Sequence, residues 1–303
     1  MEDARSFDFY RTQSPMTHPG RYQALIEVLP DDLPALARII QGLQVYDVVA
    51  EDFYGFAVPA DRLAEIHIRP IEQRLERLIE LDNRPLDIAR PIEKRVLGRC
   101  QSFVVMMVTM LREKGIPARA RCGFGGYFHP RRYEDHWLCE YRNNVERRWM
   151  LADPQFDDVW RRRLDIRHDV LDVPRDQFLT AADAWEQCRR GELDPEWFGI
   201  SFADLHGLWY IAGSLVRDLA ALNRMEMLPW DVWGAQPRPG QQLDHKQLTF
   251  YDELARLTRN PDTTFAELRQ RYEADVTLRV PPTVHNALLN APEDITREMA
   301  CHS

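Results

Sequence analysis

The feature that most constrains this 303-residue chain is a buried-helix signal that starts on a cysteine. Cys100 stands at the head of an apolar run: Phe103, Val104, Met106, Met107, Val108, Met110 and Leu111. The run closes at Lys114-Gly115-Ile116-Pro117, a basic last turn, a glycine stop and a proline beyond. A helix of about three turns, buried on most sides, therefore begins at Cys100. A thiol on the first helical residue meets the positive end of the helix dipole, which favours thiolate over thiol.

Strand patterns follow. Ala118–Phe128 reads as one strand with a break at Gly125-Gly126; Asp135–Arg142 and Glu146–Asp153 read as the two arms of a hairpin around Asn143 and Asn144. A turn centred on Asn144-Val145 sets His136 directly opposite Asp153, with Cβ atoms roughly 5 Å apart. Cysteine on a helix start, histidine on one strand and aspartate on the next form a nucleophile, a general base and an orienting carboxylate. Cys100 would attack a carbonyl and carry the acyl group, His136 would move the proton, and Asp153 would fix the His136 tautomer.

The segment GRCQSFVVMMVTMLREKGIPARARCGF…YEDHWLCEYRNNVERRWMLADP resembles the core of the transglutaminase-like cysteine enzyme superfamily in the order, spacing and element types of Cys100, His136 and Asp153. The stretch from VPRDQFLTAADAWEQCRRGELDP to LVRDLAALNRMEMLPWDVWG is similar to bacterial proteins known only as transglutaminase-like. Those often carry Cys-Arg-Asp-Phe where this chain has Cys100-Gln101-Ser102-Phe103. The resemblance implies an α+β fold: a transglutaminase-like (papain-like) core over 62–165, its antiparallel sheet packed on the Cys100 helix. A helical lead-in over 1–61 and a helical extension over 166–303 would flank it.

The resemblance also implies thiol-dependent acyl chemistry on an amide or thioester, with no cofactor. Transfer to an amine gives a transglutaminase-like acyltransferase; transfer to water gives a peptidase, amidase or deamidase. The arginine-glycine-glycine lead-in of the arylamine N-acetyltransferases is absent, since Val96-Leu97-Gly98-Arg99 stands there, which disfavours an acyl-CoA donor. The substrate expected is a small molecule, a peptide or a carrier-bound acyl group. A binding protein that keeps the fold without turnover is the rival from another class.

Composition narrows the partners. Formal net charge is −9, so neither nucleic acid nor an anionic membrane is an expected partner. The five cysteines have no C-x-x-C spacing, which argues against structural zinc and for free thiols in a reducing cytoplasm. Met1–Phe7 lacks the pattern of a secretory leader, and no apolar run approaches about 18 residues.

Elsewhere, residues 1–20 read as a loose lead-in and Asp31 or Asp32 as the cap of a helix carrying Leu36, Ile39, Ile40 and Leu43. A second helix over 61–81 is expected to break near Arg69, ahead of Pro70. Asp176–Arg190 and Leu205–Leu222 read as helices, and Thr264-Phe265-Ala266-Glu267 has the form of a capping box. Trp209, Tyr210, Trp230 and Trp233 read as packing aromatics, and Arg131 and Arg132 as a solvated loop. Tyr54 is the candidate for a second oxyanion donor.

Overall fold

A computed structural model describes residues 4–300. In chain order the elements are α1 (Ala4–Arg11), α2 (Gln23–Glu27), α3 (Leu33–Leu43), β1 (Gln44–Tyr46), α4 (Ala50–Tyr54), α5 (Ile71–Leu81), β2 (Val96–Gly98) and α6 (Cys100–Glu113). Next come β3 (Ala118–His129), β4 (Arg132–Asn143), β5 (Arg148–Ala152), α7 (Asp158–Arg163), β6 (Phe178–Thr180), α8 (Ala181–Arg189), β7 (Phe198–Ile200), β8 (Leu205–His206) and α9 (Leu208–Leu222). The chain closes with β9 (Asp231–Val232), α10 (His245–Arg259), α11 (Phe265–Ala274), β10 (Thr283–Asn286), β11 (Ala291–Asp294) and α12 (Thr296–Ala300). This is an α+β fold.

The chain divides into two compact units. One holds residues 4–8, Arg121–Trp137 and Pro174–Arg297; the other holds Phe9–Ala120, Leu138–Val173 and residues 298–300. The boundary cuts β3 after Ala120 and β4 after Trp137.

The second unit is built on α6, whose residues from Cys100 to Arg112 are all buried. Asp32 accepts from the Ala35 N–H at 2.9 Å and starts α3, which buries Leu36, Ile39, Ile40 and Leu43 as its periodicity requires. The 61–81 pattern does break: a 3-10 helix covers Ala60–His67, the chain extends, and α5 resumes at Ile71. The lead-in is not loose. Arg112 donates from Nε to the Tyr10 carbonyl and from Nη1 to Thr17 Oγ1, Thr109 Oγ1 donates to the Thr17 carbonyl, and Tyr10 and Met16 are wholly buried. These are side-chain bonds over about a hundred residues of sequence, which no local pattern signals.

In the first unit the sheet order is β6–β3–β4–β7–β8; β3–β6 and β7–β8 are antiparallel and β4–β7 is parallel. β3 runs unbroken through Gly125-Gly126. Glycine at 123 answers a close approach instead: a Cβ there would stand 2.3 Å from the Leu179 carbonyl of β6. The pattern over 176–190 begins as strand, with Thr180 ending β6 and capping α8 through the Asp183 N–H. Likewise β8 precedes α9, which starts at Leu208, not Leu205. β9, β10 and β11 form a further three-stranded sheet inside the region expected to be helical. Thr264 makes no cap bond, because its hydroxyl turns back to donate to the Leu257 and Asn260 carbonyls, and Glu267 pairs with Arg256; α11 forms all the same. Tyr210, Trp230 and Trp233 are buried packing residues, and Trp233 donates to the Leu278 carbonyl.

Candidate active site

Cys100 is the first residue of α6 and is 5% exposed. Its lead-in, β2, is fixed on three sides. β1 pairs with it in parallel, Gln44 to Val96 and Tyr46 to Gly98. The Leu97 N–H donates to Glu65 Oε2 at 2.9 Å, and the Leu97 carbonyl accepts from Arg74 Nη1 at 2.8 Å. Glu65 in turn takes paired bonds from Arg62 at 2.8 Å and one from Arg77 at 2.9 Å. Burial raises the Glu65 pKa, yet the Arg62, Leu97 and Arg77 bonds outweigh it and hold the carboxyl below its ordinary value.

The turn from β2 into α6 needs glycine at 98: a Cβ there would lie 2.1 Å from Ser102 Oγ. Ser102 donates from both N and Oγ to the Arg99 carbonyl, at 2.9 and 2.7 Å, and so closes the first turn beneath the thiol. Arg99 is the extended residue before the helix. Its guanidinium forms two bonds with Asp47, Nε to Oδ1 and Nη2 to Oδ2, both 3.0 Å. Burial alone would lower the Arg99 pKa; Asp47, with lesser contributions from Tyr46 and Cys100, raises it instead. The Asp47–Arg99 clamp could not be read from the sequence, since an Asp and an Arg 52 residues apart carry no signature.

His136 lies on β4 and is 2% exposed. The rings of Phe128 and Tyr127 meet it edge-on, with centroids 5.0 and 6.0 Å away. These aromatics come from β3 across a two-residue connection, Pro130-Arg131, where Arg131 takes φ 59°. The expected loop is thus a tight turn, and Arg132 is exposed and donates to the Glu196 carbonyl. Asp135 and Trp137 point to the other face of β4. Burial pushes the Asp135 pKa up, partly countered by Arg217 at 3.8 Å.

Asp153 follows the last residue of β5 and is 1% exposed. Its N–H donates to the Val170 carbonyl at 2.7 Å, and its Oδ1 accepts from the Gln155 N–H at 3.1 Å. The carboxylate is therefore oriented by the turn that follows it.

The hairpin register differs from the expectation. The observed pairs run from Asn143↔Arg148 to Cys139↔Ala152. Continued one step, they set Asp153 against Leu138, not His136. The cause is the loop: it spans four residues, Asn144–Arg147, because Asn143 Oδ1 accepts from both Val145 N and Glu146 N and Arg147 adopts φ 54°. The shift is two residues, so each side chain keeps its face.

Cys100 and Asp153 thus belong to one unit and His136 to the other. Tyr54 does not offer a free donor. Its hydroxyl donates to Asp157 Oδ2 at 2.8 Å; burial, then the Asp157 charge, push its pKa far up. Of the remaining thiols, Cys122 and Cys139 are wholly buried, with pKa values raised chiefly by that burial, and Cys188 is pushed up to about 12 by burial and Asp194. Cys301 lies outside the described residues. Among the described residues no group of three or more His, Cys, Asp and Glu is placed to hold a metal ion, and no helix is long and apolar enough to cross a membrane.

Residues 64–154 match the transglutaminase-like superfamily, a stretch that includes Cys100, His136 and Asp153. No curated protein matches the chain. Among solved structures, a crystallised candidate cysteine protease from Cytophaga hutchinsonii aligns at 13% identity and a TM-score of 0.33. That alignment covers 59% of this chain and 46% of the other, so this chain spans less than half of that protein.

Proposed function

Starting from a chain that carries a transglutaminase-like domain, we propose that it is a cysteine enzyme that works through a Cys100 acyl-enzyme and most readily passes the acyl group to an amine. The observation that carries this reading is the placement of Cys100 on the first residue of a helix buried from Cys100 to Arg112, inside the matched segment that also holds His136 and Asp153.

In this reading His136 takes the Cys100 proton as sulfur attacks the carbonyl of an amide or thioester. The carbon–sulfur bond forms, and the tetrahedral oxyanion accepts from the Cys100 N–H at the helix start. His136 then protonates the leaving amine or thiol as the carbon–leaving-group bond breaks. An acceptor amine repeats the sequence in reverse, with His136 removing its proton, and thiol and imidazole are restored. Asp153 keeps the imidazole in the working tautomer. Water in place of the amine gives hydrolysis of the same intermediate.

The test is intact-mass spectrometry of the protein after incubation with a cell extract, alongside Cys100→Ser. An adduct on the wild type that maps to Cys100 and is absent from the variant supports the reading, and its mass identifies the acyl group. No adduct, combined with a Cys100 that electrophiles do not label faster than the other thiols, moves the assignment to a binding protein.

A further inference from the structure

The first unit holds an open pocket of about 520 Å³ between the 234–241 turn and the start of α10. That volume is within the usual range for small-molecule sites. Among its described lining residues there is no aspartate or glutamate, although the protein as a whole is acidic. Arg238 and Lys246 line it, and neither makes an ion pair among the described residues. Arg271, which packs on the lining residue Phe250, is by contrast paired with Asp275 and Glu253.

The uncharged polar groups have the same bias. Three glutamines line the pocket, and each has its side-chain carbonyl committed elsewhere. Gln236 Oε1 accepts from Arg217, Gln241 Oε1 from the Arg238 N–H, and Gln247 Oε1 from the Asp244 N–H of the α10 capping box. Gln236 also spends its amide on the Asp231 carbonyl, which leaves the Gln241 and Gln247 amides as donors. The Tyr251 hydroxyl is used on the Ala235 carbonyl at 2.6 Å. What side chains present to the pocket is thus two cations and two amide donors, beside the rings of Phe250 and Tyr251. Arg271 covers Phe250 with its guanidinium carbon 5.2 Å from the ring centroid.

We propose that this pocket binds a small organic anion, a carboxylate or phosphate monoester carrying a flat apolar group, with the charge on Arg238 and Lys246 and the apolar group against Phe250. The proposal is independent of the chemistry at Cys100.

Isothermal titration calorimetry of the full chain at low salt tests it, with phenyl phosphate, inorganic phosphate and benzamide as probes. Phenyl phosphate is expected to saturate one site. Its affinity should fall about tenfold or more in Arg238→Gln/Lys246→Gln, as charge-assisted bonds are removed. It should fall about fivefold in Phe250→Ala, because the ring that stacks on the phenyl group is gone. Both cations are exposed, so melting curves should not move. Absence of phenyl phosphate binding at millimolar concentration, or unchanged binding in the double variant, overturns the proposal. Benzamide binding as tightly as phenyl phosphate removes the anion, and inorganic phosphate binding as tightly removes the apolar wall.

Discussion

Native-state labelling with iodoacetamide at pH 7.5 separates the proposed nucleophile from the other thiols, and its outcome can be worked out beforehand. With a pKa of about 12, Cys188 is thiolate to only about three parts in a hundred thousand at that pH, against about one part in ten for an ordinary cysteine. That is a loss of about 3,000-fold. The more basic thiolate is intrinsically more nucleophilic; a Brønsted slope of about 0.4–0.5 over ~3.5 units returns about 30-fold. Cys188 should therefore label about a hundredfold more slowly than free cysteine. Cys122 and Cys139 are wholly buried, with raised pKa values, and must wait for local opening. Cys100, on its helix start with His136 assigned as base, should label at least as fast as free cysteine, about a hundredfold ahead of Cys188. Peptide mapping over a time course gives each rate, and the denatured chain supplies the unprotected reference. His136→Ala should bring Cys100 back toward the slow group. Labelling of Cys188 within a few-fold of Cys100, or a Cys100 rate indifferent to His136→Ala, refutes the reasoning.

Three further outcomes follow from particular side chains. Asp153→Asn keeps an oxygen for the Gln155 N–H, so the fold should survive by circular dichroism while turnover drops about 10²–10⁴-fold through loss of tautomer control; unchanged turnover removes Asp153 from the mechanism. Arg119 and Glu140 form an ion pair at 2.7 Å, each 2% exposed, and Glu140→Ala leaves the guanidinium buried without that carboxylate. Denaturant titration should show a loss of about 3–5 kcal/mol, with Glu140→Gln losing less. The Glu65 carboxyl is held below its ordinary pKa, so its contribution is present above the unfolded value of about 4.3 and fades as pH falls through the lower folded value. The stability gap between wild type and Glu65→Gln should therefore narrow as titrations move from pH 6 toward pH 3; a gap that does not change with pH excludes Glu65 as an acid-sensitive anchor of β2.

What was legible in the sequence is what short-range chemistry writes there. The start of α6 at Cys100 and its stop before Gly115, at φ 70°, follow from the apolar run and the terminal residues. The Asp32 cap and the break ahead of Pro70 are equally local. What was not legible depends on partners far along the chain. Tyr10 and Thr17 are fixed by Arg112, and β6, a short strand ahead of a strong helix pattern, pairs with the distant β3. The Asp47–Arg99 clamp beside the thiol is of the same kind.

The hairpin shows where the line falls. Alternation along β4 and β5 fixes which face each residue takes, because that depends only on odd or even position. The pairing itself depends on the loop, and the loop depends on one side chain. Asn143 Oδ1 accepts two backbone N–H groups and lengthens the turn to four residues. The expected pairing was therefore off by two, while the faces assigned to His136 and Asp153 were not disturbed. A one-residue error would have turned Asp153 to the wrong face. An inference from residue spacing to a shared face on a hairpin is thus robust to the commonest mistake in loop length that keeps its parity, whereas an inference to a direct cross-strand pair is not.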